Sequence, residues 1–319
     1  MANRVVYFNG EWVSEREARV SIFDSALMFG DMAFEMTRTF NQKPFKLREH
    51  LERLYASLKL MEIDCGLTID HMEQITLEGL KKNLSTEPDD MDWQIMHDVS
   101  RGVMGFYETV FPEGVQPTVS INYWPMILHA GTSAVKYDAG IDLVIPAQQA
   151  VPAHLIDPKT KNRSRVYYQL ANLQASRMNN GTPLLLDPDG YLTESTGANV
   201  FLVKNNVLYT PEPRNILLGV SRDTVIELAE KLNIPVVEKN MGRYEALMAD
   251  EMFMTSTPFC MMHAATFEGQ TIGDGKRGPI FTQLANAWKD LVDLDFVAQA
   301  HAYEGQMEAW KKRELEANR

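Results

Sequence analysis

Asp187-Pro-Asp-Gly190-Tyr-Leu-Thr-Glu194-Ser-Thr-Gly197-Ala-Asn-Val-Phe-Leu202 holds the part of the chain whose reading decides the fold. Pro188-Asp189-Gly190 reads as a turn, because proline presets φ and glycine accepts a positive φ. Glu194 comes next, then a Ser-Thr-Gly loop, then an apolar strand over 199–203. Downstream stand Thr210-Pro211, then Leu217-Leu218-Gly219-Val220-Ser221-Arg222, and finally Ala249-Asp-Glu-Met-Phe-Met-Thr-Ser256-Thr257. A helix that opens after a glycine, as at Gly219, presents backbone N–H groups that suit a phosphate.

Outward from this stretch, strands alternate with helices. Strand-like runs cover 141–146, 183–187 and 252–255, and helices are expected at 168–179, at 222–232 and from Pro279. The first half begins with Val5-Val6-Tyr7-Phe8, an Asn9-Gly10 turn and Trp12-Val13, the pattern of a hairpin. Leu47, Leu51, Leu54, Leu58 and Met61 recur at steps of four and three, which predicts a helix over 46–61. A second helix is expected over 69–84, with strands near 93–99 and 118–123. The domains are therefore expected at 1–123 and 137–303, joined by 124–136 and followed by a charged helical tail, 304–319, with Trp310 as a docking residue.

Composition narrows the class. Of 319 residues 45% are hydrophobic and 23% charged, a globular profile with enough chain for a large core. A net charge of -12 lacks the basic surplus of a nucleic-acid binder. Cys65 and Cys260 are far apart and make no CxxC pair, so a reducing cytoplasm is expected. No apolar run reaches the ~20 residues of a membrane span, and the N-terminal residues do not read as a signal peptide. HExxH, GxGxxG and the phosphate loop GxxxxGK[ST] are absent, and the seven histidines show no ligand spacing.

The ordered set from Glu194 to Thr257 resembles fold type IV pyridoxal-phosphate enzymes: branched-chain and D-amino-acid aminotransferases, (R)-amine transaminases and aminodeoxychorismate lyase. The N-terminal half agrees, in Phe23-Asp24, Gly30-Asp31-Met-Ala-Phe34-Glu35 and Arg48-Glu-His50-Leu-Glu-Arg53-Leu. The resemblance runs from Asn9-Gly10 to about Trp288. It implies an α/β fold with a smaller N-terminal domain, a larger C-terminal domain around a barrel-like sheet, and pyridoxal 5'-phosphate between them. It also implies an assembly of at least two copies, and small-molecule substrates: an amino donor and a 2-oxo acid acceptor. The expected activity is a ping-pong transamination with hydrophobic donors, branched-chain-like, D-amino-acid-like or (R)-amine, with a lyase as the alternative.

Site residues carry over one by one. The family's Schiff-base lysine precedes by about fourteen residues a helix ending in Glu-Ala; here that end is Gln174-Ala175, which points back to Lys161. Lys159 is the competitor, and the bland alternative is that Lys159, Lys161, Arg163 and Arg165 alternate on a solvated strand. Glu194 matches the carboxylate under the pyridine nitrogen, or is an exposed glutamate after a turn. Phosphate binding is expected from Arg53, the backbone at Gly219, Val220 and Ser221, and Ser256 and Thr257. Each has a plainer job available: a surface pair of Arg53 with Glu49, a helix cap at Ser221, a strand-end hydroxyl at Thr257. Tyr167 or Tyr168 is expected at the ring oxygen. Phe34 stands where D-amino-acid enzymes carry tyrosine. Arg101, in Asp98-Val-Ser-Arg101-Gly102, matches their carboxylate-holding arginine or pairs with Asp98. The neighbourhood of Phe34, Met36 and Met104 suggests an apolar pocket.

Overall fold

The computed structural model describes residues 4–111 and 115–317, which form two compact units. The first takes 4–111, 115–131, 160–165 and 303–317, and the second takes 132–159 and 166–302.

In the first unit, β1 (Val5–Phe8), β2 (Glu11–Ser14), β3 (Met32–Phe40), β4 (Lys43–Pro44), β5 (Trp93–Ser100) and β6 (Thr118–Pro125) make an antiparallel sheet in the order β2-β1-β6-β5-β3-β4. The Asn9-Gly10 turn joins β1 to β2 with φ of 49° and 94° at its two central residues, the left-handed pair a two-residue hairpin needs. After the short α1 (Ser25–Phe29) come α2 (Leu47–Leu60) and α3 (Ile69–Asn83), close to the expected spans. The leucine spacing works as read: Leu47, Leu51, Leu54 and Leu58 are buried in one core with Met72, Ile75 and Leu80 of α3 and with Ala33, Ile95, Val99 and Ile121 of the sheet. Each of the leucine, isoleucine, valine and methionine side chains contributes roughly 1.5–3 kcal/mol of burial. Gly79 sits inside α3 despite its poor helix propensity because a Cβ there would lie 2.2 Å from the Tyr123 hydroxyl. A short α4 (Ile127–Ala130) follows β6.

The second unit opens with α5 (Ala134–Ala139). It contains β7 (Ile141–Val144), α6 (Val166–Arg177), β8 (Thr182–Leu186), β9 (Leu192–Ser195), β10 (Asn199–Lys204) and β11 (Val207–Thr210). After these come α7 (Val220–Lys231), β12 (Val236–Glu238), α8 (Arg243–Leu247), β13 (Glu251–Ser256), β14 (Cys260–Phe267), β15 (Gln270–Thr271) and α9 (Pro279–Val292). Six strands close on themselves in the order β10-β13-β14-β7-β8-β9, because β9 pairs back onto β10. This is the barrel-like sheet expected for the C-terminal half. β11 and β12 extend it beside β10, and β15 pairs with β14.

The last helix, α10 (Phe296–Ala317), carries the charged tail; Asn318 and Arg319 lie outside the described residues. Its end is tied to the first unit by charge. Glu87 is fully buried and accepts from Arg4 at 2.9 Å, from the Trp310 indole at 3.2 Å and from Arg313. Arg4 also binds Glu314 at 2.6 Å and Glu15 at 3.0 Å. Removing one partner of a buried network leaves the others desolvated, at a cost of ~3 kcal/mol or more. Arg4→Leu should therefore lower the urea midpoint by an amount equivalent to about 3 kcal/mol and expose the end of α10 to limited proteolysis; an unchanged midpoint would show the cluster to be idle.

Candidate active site

The residues singled out from the sequence divide between the two units. In the first, 160–165 runs beside the start of β3: the Phe34 amide donates to the Lys161 carbonyl at 3.0 Å, the Arg163 amide to the Met32 carbonyl at 2.9 Å, and Ala33 bridges Asn162. Lys161, Arg163 and Arg165 do alternate, as the bland alternative supposed, but the face they share is not simply solvated. All three cations lie over the buried ring of Phe34, Lys161 Nζ at 4.7 Å, Arg163 Cζ at 3.9 Å and Arg165 Cζ at 5.2 Å from its centroid. Lys159 takes a different course, its amine 3.6 Å from Asp157 with the side chain well exposed.

The residue after Phe34 points to the opposite side of β3, as the period of two requires. Glu35 is fully buried against α2. Arg53 grips it in a fork, Nε to Oε2 and Nη2 to Oε1, both at 2.7 Å. Oε1 also accepts from His50 Nδ1 at 3.0 Å and from the Met36 amide at 2.9 Å. Burial works to raise the pKa of Glu35, but Arg53, His50 and Lys161 together outweigh it and hold the carboxyl well below its usual range. Sequence reading had Arg53 paired with phosphate or with Glu49; the carboxylate it meets is Glu35, present in the quoted motif but given no role there.

Arg101 is nearly half exposed and holds Asp31 at 2.8 Å together with the Met61 and Glu62 carbonyls at the end of α2. Asp98, its suggested partner, pairs with Arg163 at 2.8 Å.

In the second unit, the strand pair that closes the barrel places Glu194 directly opposite Asn199, which is opposite Thr255 of β13. Glu194 is buried rather than exposed. Its Oε1 accepts from the Tyr168 hydroxyl at 2.6 Å, and its Oε2 from the Leu217 amide at 2.9 Å and from Asn199 Nδ2 at 3.3 Å. Tyr168 is buried and Tyr167 half-buried, their rings 4.4 Å apart. Gly219 caps α7 without a side chain, and a Cβ there would sit 2.2 Å from Asn199 Oδ1. Glycine is thus required by packing, and the amides of Val220 and Ser221 open the helix. Ser256 ends β13, donating to the Gly197 carbonyl at 2.6 Å, and Thr257 begins the turn that follows. The roles of Tyr168, Asn199 and the Leu217 amide in holding Glu194 were not read from the sequence, although Asn199 belongs to the Glu-Ser-Thr-Gly-x-Asn motif.

The family model described as amino-transferase class IV matches residues 32–266. This chain belongs to the class IV aminotransferases. A relative from Methanocaldococcus jannaschii is 34% identical over 287 residues, covering 90% of this chain and 96% of that one. The branched-chain-amino-acid aminotransferase of Escherichia coli (strain K12) is 29% identical over 289 residues, 89% of this chain and 91% of its own. A crystal structure of the Escherichia coli enzyme superposes with a TM-score of 0.82 at 28% identity, covering 91% of this chain and 95% of that chain. The branched-chain aminotransferase of the thermophilic archaeon Thermoproteus uzoniensis, solved with norvaline, gives 0.79 at 26%, covering 94% and 96%. The chain is a transaminase with the fold type IV architecture, and the lyase alternative is not favoured. Among the described residues no helix is long and apolar enough to cross a membrane.

One histidine near Glu35 makes the stability of the first unit depend on pH. The Thr76 hydroxyl donates to the Met72 carbonyl at 2.7 Å, so it accepts from His97 Nε2 at 2.8 Å, which places a proton on Nε2. Burial pushes the His97 pKa from 6.5 down to about 4. The unfolded chain takes a proton below 6.5 that the folded chain refuses until about 4, so stability is lost as pH falls through that window. His97→Gln should lose about 2 kcal/mol less stability between pH 7 and pH 5 than the wild type, read from urea midpoints; equal losses would mean that His97 is already protonated in the fold.

Proposed function

We propose that this transaminase holds pyridoxal 5'-phosphate on Lys161 and moves the amino group of a hydrophobic, branched-chain-like amino acid to a 2-oxo acid in ping-pong order. Bound pyridoxal 5'-phosphate would supply an aldehyde for the amine and a ring that accepts the substrate's electrons. The observation that carries the reading is Glu194, a buried carboxylate with both oxygens oriented by Tyr168, Asn199 and the Leu217 amide. Fixed in this way, it suits a protonated pyridine nitrogen, whose charge it would hold in place.

The remaining residues fit the same group. Lys161 would supply the primary amine for the cofactor's aldehyde, and its Nζ, when free, would hold the proton removed from the substrate carbon. Arg53 offers a cation fixed by Glu35, and the opening amides of α7 at Val220 and Ser221, left without a capping side chain by Gly219, suit a phosphate. Ser256 and Thr257 would add hydroxyls. Tyr168 gives its hydroxyl to Glu194, so Tyr167 is proposed for the ring oxygen.

On the substrate side, Phe34 and Met36 lie on the face of β3 opposite Glu35, with Met96 of β5 opposite Met36. The apolar side chains on this otherwise charged face and the relatives' branched-chain names favour aliphatic donors. Arg101 would hold a substrate carboxylate only by giving up Asp31. Assembly into at least a dimer is part of the proposal, supported by exposed Val20, Ile22, Leu27 and Phe29; a monomeric mass at full activity would overturn it.

The purified protein should be yellow. Lys161→Ala should lose both the visible band and turnover, and borohydride reduction should leave the pyridoxyl mass on Lys161, not Lys159. Glu194→Gln should keep the band but slow turnover at least about a hundredfold. In a panel of L-, D- and (R)-amine donors with 2-oxo acids, branched-chain amino acids should react fastest. A colourless protein, or a panel without oxo-acid formation, would sink the reading.

A further inference from the structure

Glu35 is costly to bury, and stability does not explain it. A buried ion pair returns little over an apolar pair of the same volume. The carboxylate is instead built into a tight frame: its oxygens accept from two nitrogens of Arg53, from His50 and from the Met36 amide. His50 and Arg53 are one turn apart on α2, so the helix presents both to a single carboxylate. The fork takes Nε and Nη2 of Arg53 and fixes the plane of the guanidinium.

The residue before Glu35 on β3, Phe34, reaches the lysine. The Phe34 amide bonds the Lys161 carbonyl at 3.0 Å, and the Lys161 amide donates to Ser57 Oγ at 3.0 Å. Ser57 Oγ in turn donates to the Arg53 carbonyl at 3.0 Å. Phe34 therefore holds the backbone of Lys161, Glu35 holds the side chain of Arg53, and Ser57 links the two backbones.

We propose that Glu35 is a positioning residue for the cofactor's phosphate: by gripping two nitrogens of Arg53 it fixes the guanidinium in one orientation, in register with Lys161, so that the cation is presented to the phosphate already placed. This rests on the reading that the chain binds pyridoxal 5'-phosphate, and it adds that the phosphate's hold is governed by a residue that never touches it.

The test compares two probes on the full-length chain stripped of cofactor: pyridoxal 5'-phosphate and pyridoxal, which lacks the phosphate. Both are titrated by the visible band. Glu35→Gln keeps shape and removes charge. It should weaken pyridoxal 5'-phosphate about 10- to 100-fold, the equivalent of a charge-assisted hydrogen bond, and leave pyridoxal within about twofold of wild type. In an Arg53→Gln background, Glu35→Gln should cost no further affinity, because the two act as one unit. Should Glu35→Gln fail to fold by circular dichroism, Glu35→Asp, with its shortened fork, should show the same one-sided loss at smaller size. Equal weakening of both probes would mark a merely structural role. Unchanged pyridoxal 5'-phosphate affinity, or additive losses in the double variant, would equally overturn the proposal. If the wild type binds neither probe, the cofactor reading itself fails and takes this inference with it.

Discussion

The pairing of β9 with β10 is the contact on which the second unit depends. Left unpaired, β9 would be an edge of the sheet; its pairing back onto β10 closes the barrel there. The closing pair is Glu194 with Asn199, so the same register that seals the barrel brings a carboxylate, an amide side chain and Thr255 into one row at its rim. Polar groups buried at such a place must be satisfied. Tyr168 from α6 and the Leu217 amide ahead of α7 do this, and in doing so they fix the direction of both carboxylate oxygens. Gly219 belongs to the same construction, since a side chain there would displace Asn199.

In the first unit the comparable element is β3. Its alternation splits two kinds of chemistry across one strand. On one side Phe34 carries a shelf of cations from Lys161, Arg163 and Arg165. On the other, Glu35 gathers Arg53 and His50 from α2 and stays ionised inside the protein because they surround it. A one-residue slip of β3 would exchange the two faces, taking the carboxylate away from Arg53 and His50 and turning the ring toward α2. The antiparallel pairing with β5, continuous from Met32 to Arg38, prevents it.

Much of the fold was legible from local pattern. The leucine period of α2, the Asn-Gly hairpin and the apolar run of β10 each report a preference that operates within a few residues, and each element formed near its expected bounds. β3 is harder to read, because its alternation is inverted: the polar residues Glu35, Thr37 and Thr39 are fully buried. The stretch 124–136, read as a connection, holds the end of β6, all of α4 and the start of α5, short elements whose period is too brief to detect.

The sequence by itself determined which residue types were available and in what order: a lysine ahead of a helix, a glutamate after a turn, a glycine opening α7. Only the tertiary structure decided what each one meets. Arg53 could not be assigned to Glu35 from spacing, because its nearest acidic neighbours along the helix, Glu49 and Glu52, offer a surface pair at little cost, and the carboxylate that takes it lies on a strand eighteen residues earlier. Tyr168 rather than Tyr167 reaches Glu194 for a similar reason. Adjacent helical residues point about 100° apart, and which one faces inward depends on how α6 packs on the barrel, information carried by long-range contacts and not by the dipeptide itself.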